Sequence, residues 1–193
     1  NPNNSKVSMG GSTRHENDDW FRKFRDKKIN LINISPQKID APMGSNWLPI
    51  IPGTDTAFML ALAHELETKG LIDRDFLNSH TVGYEKFKKY LLGEEDSLPK
   101  NAEWAEKICG ISKNEIKSIS KKIAEERTLI TVAWSLQRAQ NGEQPYWMAT
   151  VLAAMLGQIG LPGGGIGFGY GAIGGVGNAI KNFGGLSLSL IHI

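Results

Sequence analysis

Three short stretches hold the residue types that could do chemistry. The first is Trp134-Ser135-Leu136-Gln137-Arg138, followed closely by Glu143-Gln144. Arg138 is a planar cation able to pair with a diphosphate, and the Ser135 hydroxyl and nearby amides can bind its oxygens. The plainer reading is an Arg138–Glu143 ion pair, and from these residues alone the two stand level. Trp134 could cover an aromatic ring or plug the core. The second stretch is Gly53-Thr54-Asp55. A carboxylate accepts two adjacent donors in a fork, which suits the N1–H and exocyclic amine of guanine. The simpler reading is a helix start, with Thr54 as cap and Asp55 facing the helix dipole. The third is Ser35-Pro36, either a ligand contact at a strand tip or a plain strand terminator, the simpler of the two.

Positioning these residues takes a parallel α/β scaffold. Thr128–Ala133 is β-branched or apolar without charge, which predicts a strand buried on both faces. A polar turn follows, then a helix over Pro145–Leu156. Ligands sit beyond the carboxyl ends of strands in open α/β sheets. Upstream, the pattern predicts a helix over Asp18–Lys28, a strand over Ile29–Ile34 and a loop over Gln37–Pro52. A helix over Thr56–Lys69 follows, with Phe58, Leu62, Ala63 and Leu66 on one side. Short helices are expected over Asp73–His80, Gly83–Leu92 and Asn101–Ile108. Ser112-Lys-Asn-Glu115 is a capping box that opens a helix to about Glu126.

Other features exclude function classes. The chain has 193 residues and a net charge of +2, so no polyanion partner is implied. One cysteine, Cys109, rules out an internal disulfide framework or a cysteine-based metal site. No apolar run reaches the length of a membrane span. His15, His64, His80 and His192 lack ligand spacing, and His64 is expected to pack on a helix. Lys86, Lys88 and Lys89 read as a solvated helix face, and Glu94–Lys100 as a charged loop. Gly163-Gly164-Gly165 and Gly167-x-Gly169 follow a helix rather than a strand, so they are not a dinucleotide fingerprint. They are expected to let backbone pass close to another segment or a bulky ligand.

The longer motifs carry a resemblance. WSLQRAQNGEQPYWMATVLAAMLGQIGLPGGGIGFGYG (134–171) resembles the matching segment of the molybdopterin-dependent S- and N-oxide reductases. These are the dimethyl sulfoxide, trimethylamine N-oxide and biotin sulfoxide reductases. PGTDTAFMLALAHELETKGLIDRDFL (52–77), TVGYEKFKKYLLG (81–93) and NAEWAEKICGIS (101–112) follow the same order. The resemblance implies a three-layer α/β fold with a mostly parallel sheet, part of a longer enzyme. It implies Mo-bis(molybdopterin guanine dinucleotide) as cofactor, an S- or N-oxide substrate and a cytochrome or other electron donor. Carried over by motif, Ser35, Pro36, Gly53, Thr54, Asp55, Trp134, Ser135 and Arg138 would contact the cofactor, with Asp55 on guanine. The resemblance adds Asn1-Pro2 as a nucleotide contact, by the Asn-Pro that ends a preceding strand in the family. No residue here matches the family's metal ligand, so none carries a catalytic or metal role. The resemblance leaves the compartment open, since members occur in both periplasm and cytoplasm.

Residues 1–187 are therefore expected to be part of an α/β domain binding one nucleotide arm. Leu188–Ile193 is what CTGTCTCTTATACACATC encodes, a transposase adapter used in sequencing libraries, so this tail is expected to be non-native. Two rivals remain: another molybdopterin oxidoreductase, of the formate dehydrogenase or nitrate reductase type, and a non-enzymatic nucleotide-binding module.

Overall fold

The computed structural model describes residues 17–167. Asn1-Pro2, the Gly-rich stretch beyond Gly167 and the 188–193 tail lie outside them. In order the elements are α1 (Asn17–Asp26), β1 (Ile32–Ser35), β2 (Asn46–Pro49), α2 (Asp55–Thr68), α3 (Arg74–His80) and α4 (Tyr84–Leu92). Then come α5 (Ala102–Cys109), α6 (Lys113–Glu125), β3 (Leu129–Ile130), α7 (Gln144–Met155) and β4 (Gly165–Ile166). Short 3₁₀ turns occupy Lys38–Asp40 and Trp134–Gln137.

The helices start where their caps put them. The side chains of Asp73, Asn101 and Ser112 each accept the amide three residues on, and so open α3, α5 and α6. Ser112 also donates to the Glu115 carboxylate at 2.9 Å, within the expected capping box. Gly93 and Gly110 end α4 and α5 in left-handed geometry.

Every strand pairing among the described residues is parallel, as an α/β fold requires, but the strands form two separate pairs. β1 runs beside β2 with Ile32 opposite Asn46 and Ser35 opposite Pro49. β3 runs beside β4 with Leu129 opposite Gly165. The expected loop over 37–52 thus conceals β2, a strand short enough to leave little pattern. The connection 36–45 carries only a 3₁₀ turn, where a parallel crossover usually takes about a dozen residues or more and a helix. The expected strand over Thr128–Ala133 shrinks to two residues, and it is not buried on both faces. Leu129, Thr131 and Ala133 are exposed while Ile130 and Val132 pack against the core. Alternation of this kind marks a strand covered on one face.

The core sits around α2, which packs on α5, α6 and α7. The expected one-sided stripe is too narrow. Phe58, Met59, Leu60, Ala61, Leu62, Ala63 and Leu66 are all buried, so α2 is surrounded. A helix apolar around most of its circumference is a core helix. Each fully buried large side chain here stabilises the fold by roughly 1.5–3 kcal/mol.

Charges near this core find partners. Glu67, 4% exposed, accepts Arg74 Nη2 at 2.7 Å, Lys88 Nζ at 3.1 Å and the Tyr84 hydroxyl at 2.7 Å. Lys88 is therefore not part of a solvated face, although Lys86 and Lys89 are exposed. The charged loop also ends inside. Lys100 is buried, donating to Asp96 at 2.6 Å and to the Leu98 carbonyl, with the Tyr90 ring 4.3 Å away.

Candidate cofactor site

Ser35 closes β1 at the carboxyl end of its sheet, where the topology puts ligand contacts. Its hydroxyl donates toward Asn33 Oδ1 at 2.8 Å and the Gln37 carbonyl at 3.0 Å. The Trp47 indole N–H donates to the Ser35 carbonyl and hydroxyl at 3.1 and 3.2 Å. Trp47 lies on the strand that sequence reading missed, so this lock could not be read from spacing. Pro36 follows, exposed. Ser35 makes these bonds within its own sheet and connection, and none to the other two stretches.

From Pro49 the chain leaves the same sheet end and turns into α2. The Ile51 amide bonds the Cys109 carbonyl at 3.0 Å, which ties the turn to the end of α5. Gly53 takes φ +80°, a left-handed value that strains any other residue, although nothing crowds the space a Cβ would fill. Thr54 is at the cap position but does not cap. Its hydroxyl donates to the Ile51 carbonyl at 2.6 Å instead. The first amides of α2 therefore have no side-chain cap, an arrangement open to an acceptor from elsewhere. Asp55, the first helical residue, is half-buried, and among the described residues no cation pairs with it. Burial pushes its carboxyl pKa up, and a hydrogen bond from its own amide partly opposes this.

The third stretch lies between β3 and α7. Trp134–Gln137 forms the 3₁₀ turn and Arg138 ends it. The Trp134 side chain lies outside what the structure describes. Ser135 and Arg138 are exposed, and Arg138 makes no ion pair with Glu143, so the plainer reading of this arginine does not hold. The Tyr146 hydroxyl donates to the Ala133 carbonyl at 2.8 Å and fastens the turn to α7. Gly142 is buried, and a Cβ there would collide with the Gln137 backbone, so the loop closes only around a glycine. Beside this turn is an open depression of about 770 Å³ lined by Gln137, Glu143, Tyr146, Trp147 and Thr150. Tyr146, Trp147 and Thr150 were not singled out from sequence, because they sit in a run that reads only as an apolar helix.

The glycines after α7 do bring backbone close to other segments. A Cβ on Gly165 would stand 2.9 Å from the Gln158 carbonyl and the Ile159 Cα. That close passage admits β4 alongside β3. His64 lies on α2 as expected, half-buried, with Nδ1 buried and without a hydrogen-bond partner among the described residues. No cluster of three or more metal-ligating side chains occurs among the described residues, and no described helix is long and apolar enough to cross a membrane.

The structure thus places the second stretch at the start of α2 and the third in the turn ahead of α7, two helices that pack against each other, and puts Ser35 on a separate sheet. All three follow parallel strands. What they offer is a half-buried carboxylate with no cation beside it among the described residues, an exposed guanidinium beside a hydroxyl, and a helix start without a side-chain cap.

Comparison with known proteins gives these residues a context. A family model described as molybdopterin oxidoreductase matches residues 13–183. A biotin sulfoxide reductase of Cereibacter sphaeroides is 45% identical over 178 residues, covering 91% of this chain and 24% of that protein. A trimethylamine-N-oxide reductase of Pasteurella multocida is 51% identical over 147 residues, 75% of this chain and 18% of that protein. Among solved structures, acetylene hydratase from Pelobacter acetylenicus matches with a TM-score of 0.59 and 24% identity. That match covers 74% of this chain and 20% of the hydratase, and it bears on the fold alone. The chain thus spans about a quarter or less of the curated relatives it matches.

Proposed function

This chain belongs to the molybdopterin oxidoreductase family, and we propose that residues 1–187 serve as the nucleotide-binding part of a molybdenum enzyme that reduces S-oxides or N-oxides. The names of its relatives support the substrate class, a biotin sulfoxide reductase and a trimethylamine-N-oxide reductase at 45% and 51% identity. The cofactor we assign is Mo-bis(molybdopterin guanine dinucleotide), held here by Ser35, Pro36, Gly53, Thr54, Asp55, Trp134, Ser135 and Arg138. When bound, such a group supplies oxygen-atom transfer and the accompanying two-electron change. A cytochrome or other reductant would deliver the electrons.

The observation that carries the reading is Asp55. Its carboxylate is half-buried without a cation, so the cost of its desolvation is not offset by any described residue. The N1–H and amino group of guanine are two parallel donors that would offset it, favour the ionised form and select guanine over adenine. Arg138, exposed and free of Glu143, would neutralise a diphosphate, and the Ser135 hydroxyl would donate to its oxygens. These residues bind and orient; none of them is given a step in the redox chemistry.

The test is calorimetric titration of the 193-residue chain with GDP and with ADP. GDP should bind at least about tenfold tighter, the range of one good charge-assisted fork. Asp55→Asn should lose that preference and gain affinity for xanthosine diphosphate, whose 2-oxo group accepts from the new amide. Equal binding of GDP and ADP, or an Asp55→Asn variant that behaves as wild type, overturns the assignment. The substrate class is tested by assaying, with its cofactor, the molybdenum enzyme of which this chain is proposed to be a part. Activity on neither trimethylamine N-oxide nor biotin sulfoxide would remove it.

A further inference from the structure

Four methionines lie among the described residues, and they divide sharply. Met59, Met148 and Met155 are buried, with exposures of 7%, 4% and 0%, while Met43 is 81% exposed. Met43 stands in the connection from β1 to β2, just ahead of Gly44, which turns the chain at φ +86°. Its sulfur lies beside a cation. Arg25 Nη1, near the end of α1, donates to Met43 Sδ at 3.6 Å. A thioether is a weak acceptor, so this contact holds little by itself. Among the described residues no carboxylate pairs with Arg25, and its side chain is exposed. Met43 and Arg25 also border an open groove of about 360 Å³, so solvent reaches the sulfur. Links of this kind matter to α1, because over residues 19–26 only Phe21 and Phe24 are half-buried and the rest are exposed. The connection that Met43 occupies follows Ser35-Pro36 and leads into Trp47, whose indole N–H holds Ser35.

We propose that Met43 is an oxidation site, converted by a peroxide to the sulfoxide, and that Arg25 then holds the new oxygen and fastens the β1–β2 connection to α1. In this step a sulfur lone pair takes the distal oxygen of the hydroperoxide. An S–O bond forms and the O–O bond breaks. The proton of the distal oxygen passes to the leaving oxygen, which departs as water or an alcohol. Sulfur gives up two electrons and the peroxide gains them. A sulfoxide oxygen carries partial negative charge, so a weak N–H···S contact becomes a charge-assisted N–H···O bond. Oxidation of a core methionine disrupts packing, because an apolar side chain turns polar. Here the sign is reversed, since a side chain this exposed has little packing to lose. Cys109 does not compete for the oxidant. It is buried, and that burial pushes its thiol pKa up, away from the reactive thiolate. The inference uses none of the nucleotide-binding residues and stands apart from the cofactor reading.

Hydrogen peroxide, applied to the 193-residue chain, is the oxidant for the test, and peptide mass spectrometry reads each methionine. Met43 should gain one oxygen at least about tenfold faster than Met59, Met148 and Met155. Amide hydrogen exchange over residues 18–31 should then slow at least about twofold, a modest change suited to one charge-assisted bond at an exposed site. Arg25→Ala should oxidise at Met43 as fast as wild type yet show no slowing. Met43→Gln, whose amide oxygen stands in for the sulfoxide, should slow exchange without peroxide, and Met43→Leu should do neither. Both positions are exposed, so circular dichroism should match wild type in each variant. A methionine sulfoxide reductase should return the oxidised chain to its starting exchange rate. If Met43 oxidises no faster than the buried methionines, it is not the site proposed. If oxidation leaves exchange over α1 unchanged or speeds it, or if the slowing survives Arg25→Ala, then Arg25 does not hold the sulfoxide and the latch is wrong.

Discussion

The Glu67 cluster and the turn before α7 hold similar residues and treat them in opposite ways. Around Glu67 a buried carboxylate meets three donors from α3 and α4, and each charge is answered within the chain. Around Arg138, a guanidinium, a hydroxyl, an amide and a carboxylate stand in or beside solvent, with few bonds to one another. Polar groups satisfied internally hold elements together. Polar groups fixed in place but left unanswered are available to something else. The first region explains how α2, α3 and α4 stay in register, and the second is where binding is best sought.

The sharpest way to break this contrast is Glu67→Ala. It strips Arg74, Lys88 and the Tyr84 hydroxyl of their common acceptor, and should destabilise the chain by about 3 kcal/mol or more, as breaking a buried ion pair does. Urea denaturation would show it, and a loss under ~1 kcal/mol would mean that the cluster is not the clamp described. Gly142→Ala tests the other region. The methyl cannot fit against Gln137, so the turn must open, at a cost of about 1–3 kcal/mol. GDP binding should weaken, since Arg138 moves with the turn.

The pH dependence separates the half-buried His64 from the buried Glu67. Burial lowers the His64 pKa, helped by Lys117 and opposed by Glu65 and Glu103. The unfolded chain therefore takes up a proton near pH 6.5 while the fold still resists it. Stability is full above that value and falls as pH drops toward the folded pKa. His64→Gln should flatten the stability profile below about pH 6.5. Glu67 acts lower. Burial raises its pKa, but bonds from Tyr84, Arg74 and Lys88 outweigh this and hold it below the ordinary value. Its contribution is present above about pH 4.5 and disappears in more acid solution. A His64→Gln profile parallel to wild type would show that the half-buried imidazole does not govern the upper window.

The smallest stability change should come from Arg138→Ala. An exposed side chain with no ion pair to Glu143 should move stability by no more than about 0.5 kcal/mol. GDP affinity should nevertheless fall, and the loss should shrink in high salt, where a surface charge is screened. A variant that loses stability as well as binding would place Arg138 with Glu67, as part of the framework.

Much of the helical organisation was legible because caps are local chemistry. Asp73, Asn101 and Ser112 open helices through bonds three residues long, and Gly93 and Gly110 close α4 and α5. The strands were harder. β2 is four residues in a proline-rich stretch, and β3 is two residues at the start of a run that looks buried throughout. Thr54 looked like a cap but satisfies Ile51, and Lys88 and Lys100 looked solvated but are tied inward. In each case a partner distant in sequence, or a turn geometry, outweighed the residue's ordinary preference. Asp55 and Arg138 were found as candidates because a carboxylate and a guanidinium announce what they bind. Glu143 and Trp147 lacked that clarity, since an exposed tryptophan within an apolar helix has the same letters as a buried one.

By itself, then, the sequence determined the helix limits, the α/β class with its parallel pairing, and the family to which the long motifs belong. Those features follow from interactions that are local or repeated over many residues. The tertiary structure decided which charges are used up and which are free. It closed Glu67 and Lys100 into the framework, left Asp55 and Arg138 without an ion pair among the described residues, and turned Trp147 outward. Burial and pairing depend on what arrives from distant parts of the chain, and packing settles that only when the helices meet.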